Sequence, residues 1–276
     1  MAFSFGKTKH PAMKKRPASE IVGIVMVSLV VVLAIVGLFW TPYDVNAMDY
    51  SLKNIAPSFS HPFGTDNFGR DILSRVMQGA SSSFVIATLT VAIGATIGTV
   101  IGALTGYFGG VADAVLMRVN DALAAFPGVL IALVIIAVMG NGRTNLIIAL
   151  GIAFIPSFVR VVRGEMLVQK ELDYVKNLKL MRAGSIRTVF IDILPNLSTV
   201  LRSSILIGFQ NAVLSEAGMS YLGLGVTPPD PSLGRMLSEA QSYMIFAPWY
   251  AIAPGVMILM LTLGLGFVSH GREEKR

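Results

Sequence analysis

The sequence predicts an all-α polytopic membrane protein of about six transmembrane helices, with both termini in the cytoplasm. Three observations carry that prediction. Of 276 residues, 54% are hydrophobic and only 14% are charged, whereas a soluble domain carries about 25% charged residues. The apolar residues gather into several runs of about 18 or more, long enough to cross a hydrocarbon core of roughly 30 Å. The 22 lysines and arginines divide 17 against 5 between the two sides of those runs, and the rich side is the cytoplasmic one. The alternating segments of about ten residues that a β-barrel needs are missing. With no cysteine in the chain, disulfides, thiolate metal sites and cysteine catalysis are excluded.

Six spans are read, roughly at 21–40, 84–108, 114–139, 145–163, 197–215 and 249–268. The first follows Lys7, Lys9, Lys14, Lys15 and Arg16. Its apolar run of about 20 residues exceeds the 7–15 of a signal peptide, so it is an uncleaved span. The chain therefore divides into a basic tail (1–20), the first span with an extracytoplasmic loop (21–83), a core (84–268) and a second tail (269–276).

The loop holds His61-Pro-Phe-Gly-Thr-Asp-Asn-Phe-Gly-Arg-Asp-Ile-Leu-Ser-Arg75. Ile72, Leu73, Val76 and Met77 have helical spacing, which predicts an amphipathic helix lying on the outer surface. Asp66, Arg70, Asp71 and Arg75 are placed to pair as a cap over the helix ends, with direct substrate contact as the alternative. In the second span Gly94, Gly98, Gly102 and Gly106 recur every fourth residue. They put small residues on one face and predict a tight helix–helix seam. Arg118 and Asp121 have the i,i+3 spacing of an ion pair. Pro156 is expected to kink the fourth span, and Arg160 and Arg163 mark its cytoplasmic end.

Between the fourth and fifth spans lies a basic, helical segment, 164–196. Val168, Leu172, Val175 and Leu178 share a face, which predicts an amphipathic helix from Met166 to Met181. Ala183-Gly184 breaks it, Ser185 caps a second helix running to Leu194, and Pro195-Asn196 begins the fifth span. An apolar ridge with a basic rim should dock in a partner's groove; the alternative is a helix lying on anionic lipid.

Four stretches resemble the membrane subunit of binding-protein-dependent ABC importers, in the dipeptide, oligopeptide and nickel branch, and specifically its shorter, second permease. They are His61–Arg75, with Gly64, Thr65, Asp66, Gly69, Arg70 and Asp71 as its periplasmic signature; Asp173-Tyr-Val175; Ile193-Leu-Pro-Asn196; and Glu216–Gly234. The resemblance implies the type I permease fold. It implies a sister permease, two cytosolic ATPases that use ATP and Mg, and an extracytoplasmic substrate-binding protein. It makes 164–196 the ATPase-coupling segment, with Leu172, Tyr174, Val175, Leu178, Met181 and Gly184 as its contacts. Counted back from Pro195, the family's Glu-Ala-Ala triplet falls on Lys176, Asn177 and Leu178. The family's following glycine falls on Arg182, and Gly184 is the nearest glycine here.

Polar groups inside spans are costly unless they face a pathway or a partner. Gln210 and Asn211 are therefore candidates for the translocation path, or for helix–helix hydrogen bonds. Glu216 is a candidate outer-gate group or a partner for Arg235 or Arg75. Gly223, Gly225, Pro228, Pro229 and Pro231 make the next loop non-helical, and such backbone near a membrane must be covered by protein or face water. No catalytic constellation is visible, so the chain is not itself an enzyme and binds no cofactor. His10, His61 and His270 have no metal-ligand spacing. Gly6-Lys7-Thr8 lacks the strand and first glycine of a phosphate loop. The expected function is half of an ATP-driven import pathway for small peptides, working by alternating access. A nickel or metal-chelate importer permease is the alternative, and an ATP-independent channel or sensor a more distant one.

Overall fold

The computed structural model describes residues 18–273; residues 1–17 of the basic tail, with Gly6-Lys7-Thr8 and His10, lie outside the described residues. Helix α1 is Ala18–Phe39 and α2 is Ile72–Phe108. A pair follows, α3 at Gly110–Ala124 and α4 at Gly128–Met139. Then come α5 at Arg143–Gln169, α6 at Asp173–Leu180 and the single turn α7 at Ser185–Arg187. The chain closes with α8 at Ser198–Tyr221, α9 at Leu233–Ala240 and α10 at Pro248–Glu273. Among the described residues, five helical stretches are long and apolar enough to cross a membrane, and six if the bent pair α3–α4 is one span.

Two of the expected boundaries are corrected. The segment from Ile72 is no separate helix on the outer surface but the start of α2, which runs unbroken for 37 residues. Ile72, Val76 and Met77 are buried, because Ile72 and Val76 pack in a cluster with Leu233, Met236 and Tyr250. The third span is not straight: α3 and α4 meet at 88°. The backbone before a proline is pushed out of the α region, and α3 ends just before Pro127.

The predicted glycine seam is present, and α5 is its partner. A methyl group added at Gly94 would lie 2.9 Å from Phe154 Cβ, at Gly98 2.5 Å from Phe158 Cβ, and at Gly106 2.8 Å from Met166 Cβ. Backbone approach this close supplies the van der Waals packing that joins helices where the hydrophobic effect cannot. α5 itself runs through Pro156 without a break. The same device joins α1 to α2, where Gly37 rests on the Met77 backbone, and α1 to α10, where Gly23 meets Gly264.

At one end of the bundle lies the 40–71 loop with α9; at the other lie α6 and α7. Near the second end Arg163 forks onto Asp113 at 2.7 and 2.8 Å, tying α5 to α3. Asp121 pairs with Arg160 at 3.1 Å, not with Arg118, which is exposed. A neighbouring helix outcompetes the i,i+3 contact.

Candidate functional site

At the loop end, the signature residues build a folded cap. Gly64 and Gly69 both have positive φ, 75° and 77°, a conformation that glycine adopts without steric cost. Asp66 then receives the backbone N–H groups of Phe68 (2.8 Å) and Arg70 (3.0 Å) and the Arg70 Nε (2.6 Å). Thr65 pairs with Asp71 in a single antiparallel bridge. Asp71 does not join the arginines. Its carboxylate caps α2 through Ser74 N at 2.8 Å and meets His61 Nδ1 at 2.9 Å.

The charge that completes the cap is Glu239 of α9. Its Oε2 accepts from Arg70 Nη2 (3.2 Å), Arg75 Nη2 (3.4 Å) and the Tyr250 hydroxyl (2.8 Å), and its Oε1 from Arg235 Nε (3.1 Å). Arg75 also lies 3.7 Å from Asp66 and donates to the Val45 carbonyl. Burial pushes the Glu239 carboxyl up. The Arg75 charge, the hydrogen bonds from Tyr250 and Arg235, and the Arg70 charge outweigh it and hold the group below its ordinary value. A buried charge is tolerable only when paired and hydrogen-bonded. Here two carboxylates face three guanidinium groups, joining the loop to α2, α9 and α10. Glu239 was missed from sequence, although its i,i+4 spacing to Arg235 was legible.

Glu216 is fully buried and partners neither Arg235 nor Arg75. Those arginines are occupied by Glu239. Glu216 instead accepts a hydrogen bond from the Ser220 hydroxyl at 2.7 Å, and its Oε2 is buried with no hydrogen-bond partner among the described residues. Around it α9 packs on α8, where Gly234 rests on the Ala217 backbone, and Leu233 N of α9 donates to Ser83 Oγ of α2 at 3.4 Å. Gln210 is half-buried, its side-chain amide beside Gly266 of α10. Asn211 is exposed and lines a cavity of about 150 Å³ with Ser157, Phe158 and Ser204. The two amides thus face different surroundings, as expected of adjacent helical positions about 100° apart.

At the opposite end, the amphipathic helix is shorter than expected. Residues 166–169 complete α5, and α6 begins at Asp173. Val175 is not on an exposed ridge: it is buried with Met166, Val189 and Ile193. Tyr174 is half-buried, donating to Gln169 Oε1 at 2.9 Å, and Leu178 is half-buried too. The exposed apolar residues are Val168, Leu172, Leu180 (82%), Met181 (79%), Ile186 and Ile191. Ser185 is not a cap; Gly184 precedes the helix and Ser185 is its first residue. The chain then passes through a π turn at Thr188–Ile193 and a tight turn at Leu194–Leu197, which contains Pro195, before α8. The left-handed residue of this segment is Arg182, with φ 56°, and Gly184 has an ordinary φ of −62°.

The family described as "Binding-protein-dependent transport system inner membrane component" matches residues 98–270, more than half of the chain. The chain belongs to that family. Its relatives include the glutathione transport system permease protein GsiD of Pectobacterium atrosepticum, 41% identical over 91% of this chain and 85% of the relative. The dipeptide transport system permease protein DppC of Haemophilus influenzae is 33% identical over 94% of this chain and 90% of the relative. The GsiD of Escherichia coli O6:K15:H31 is 38% identical over 94% and 86%. The protein is thus an ABC importer permease of the peptide family, a transmembrane subunit of a binding-protein-dependent importer located in the inner membrane. No group of three or more potential metal ligands occurs among the permease's described residues.

Proposed function

We propose that this permease forms half of a translocation pathway for small peptides, paired with a sister permease. Two cytosolic ATPases drive it and an extracytoplasmic binding protein feeds it. The substrate names carried by the relatives, dipeptide and glutathione, support the peptide reading. Both termini and α6–α7 lie in the cytoplasm in this reading, on the side rich in Lys and Arg.

The single observation that carries the coupling role is the exposed ridge of Leu172, Leu180, Met181 and Ile186 beside a buried anchor, Val175. Apolar side chains presented on a short helix are the form in which a helix docks in a groove. The anchor ties α6 to the π turn before α8 and, through Met166, to α5. A push on the ridge therefore moves the inner ends of α5 and α8 together. ATP binding closes the ATPase pair, the two helices tilt, and the cavity opens toward the binding protein; hydrolysis resets it. This is a two-state element biased by a partner's ligand. Asn211, on the open flank of α8, belongs to the path, and Glu216 belongs to the wall that holds its outer end.

The test is Leu172→Asp with Met181→Asp in the assembled importer reconstituted in liposomes. Both side chains are exposed, so insertion and folding are expected to persist. Peptide uptake should fall by at least about tenfold, the effect of losing roughly 1.4 kcal/mol of docking energy, while ATPase activity loses its dependence on binding protein. Unchanged uptake overturns the coupling reading.

A further inference from the structure

Two cavities at the loop end meet at Leu38 and Ser81, which line both. The first, about 140 Å³, is polar. Gln78 and Ser82 of α2, Arg143 at the start of α5, and Asp230 of the loop before α9 line it. Gln78 Oε1 is buried with no hydrogen-bond partner. No ion pair joins Arg143 to Asp230 among the described residues. The second cavity, about 220 Å³, is apolar and runs between α1 and α2, past Ala34, Ile35, Phe84, Val85 and Leu89. Leu38 and Leu89 are exposed along it.

The dimensions match half a bilayer. From Ser81 to Leu89 the helix climbs about 12 Å, close to the roughly 15 Å of hydrocarbon in one leaflet. With the loop end at the membrane surface, the polar compartment would sit at headgroup depth and the apolar one beneath it. A small peptide would satisfy the first and leave the second empty. A purely apolar molecule would offer no partner to the exposed charges of Arg143 and Asp230. An anionic headgroup would suit Arg143 but bring no cation to Asp230.

We propose that these joined cavities bind one phospholipid with a phosphoethanolamine headgroup. Arg143 takes the phosphate, Asp230 takes the ammonium, and one acyl chain lies in the groove between α1 and α2. The site holds the lipid against the loop that leads into α9, next to the wall formed by Ser232 and Glu216.

The test uses the assembled importer in membranes that carry phosphatidylethanolamine with a photoactivatable acyl chain, and in parallel the matching phosphatidylglycerol probe. Peptide mapping should find the ethanolamine probe attached at 35–38 and 84–89, about tenfold above the glycerol probe, as expected for one charge-assisted contact. Unlabelled phosphatidylethanolamine should compete it away. Arg143→Ala with Asp230→Asn should lower the labelling about tenfold. Leu38→Trp, which leaves the headgroup residues intact and fills the groove, should abolish it. Equal labelling by the two probes would mean bulk lipid only and overturn the proposal. Displacement by a tripeptide but not by phosphatidylethanolamine would also overturn it, by assigning the polar cavity to transported substrate. So would no labelling at 35–38 and 84–89.

Discussion

Arg75 and Glu239 lie 164 residues apart in sequence and 3.4 Å apart in space. Arg75 is 1% exposed, and its guanidinium has no water to fall back on. Breaking such a pair leaves an uncompensated buried charge, which costs about 3–5 kcal/mol. Glu239→Gln should therefore lower the thermal unfolding temperature of the assembled importer by several degrees. Glu239→Asp, which keeps the charge at shorter reach, should lower it less. Equal unfolding of wild type and Glu239→Gln would show that the cap does not depend on the charge.

The same carboxylate sets a pH dependence. Glu239 titrates near 4.3 when unfolded, and its partners hold the folded value lower. Its contribution is therefore complete above that unfolded value and is lost as pH falls through the folded one. The gap in unfolding temperature between wild type and Glu239→Gln should be constant from about pH 7 to 5 and close as pH falls below about 4. A gap that widens on acidification contradicts this assignment.

The glycine seam separates packing from propensity. Gly98→Leu forces a side chain onto the Phe158 backbone region, where even a Cβ would lie 2.5 Å from its neighbour. Overpacking of this kind costs about 1–3 kcal/mol or more, and assembly into the importer should fall with it. Gly164 lies in the same partner helix, and a Cβ there meets nothing within 4 Å. Gly164→Ala should raise stability by up to about 1 kcal/mol, through helix propensity alone.

Much of this was legible in the sequence because it is local. Apolar length located the spans, and a four-residue glycine period located the seam. What periodicity cannot name is the partner. Ile72, Val76 and Met77 showed one apolar face, and a helix lying on lipid would show the same face as one buried under α9. Glu239 carries an unremarkable i,i+4 pattern with Arg235, and its decisive contacts to Arg70 and Arg75 come from a distant part of the chain. Hydropathy sums composition over a window and is blind to direction, so it passed through the 88° bend at Pro127. Val175 fell on the predicted apolar face, but α6 uses one edge of that face for its own anchor and leaves only the other exposed.

Arg182 gives a prediction about the coupling segment. It stands where the resemblance places a glycine, and it adopts φ 56°. The turn that closes α6, with Ala183 N donating to the Leu178 carbonyl at 3.0 Å, thus keeps its shape without the residue that favours it. A left-handed non-glycine residue costs roughly 1–2 kcal/mol. Arg182→Gly should slow hydrogen exchange at 178–184 in the isolated permease, because the folded turn is relieved of that strain. Faster exchange would mean that the Arg182 side chain stabilises the turn by contacts that outweigh it.

The absence of cysteine makes the pathway directly testable. Within this chain every single-cysteine variant carries one thiol, at its own position. Asn211 is exposed and lines the cavity beside Phe158, whereas the next residue, Ala212, is fully buried, as is Glu216 one turn on. Asn211→Cys should react with a membrane-impermeant maleimide in the assembled importer, and Ala212→Cys should not. Bound peptide should slow the Asn211→Cys reaction if that flank of α8 lines the path. Glu216→Cys should stay unreactive at rest and gain reactivity only when the ATPases are trapped with ATP, since exposing it requires α9, whose Gly234 rests on the Ala217 backbone, to separate from α8. Reactivity of Glu216→Cys at rest would place the outer wall open in the resting state. Asn211→Cys that reacts only with lipid-soluble reagents would turn that face of α8 toward the bilayer and remove it from the path.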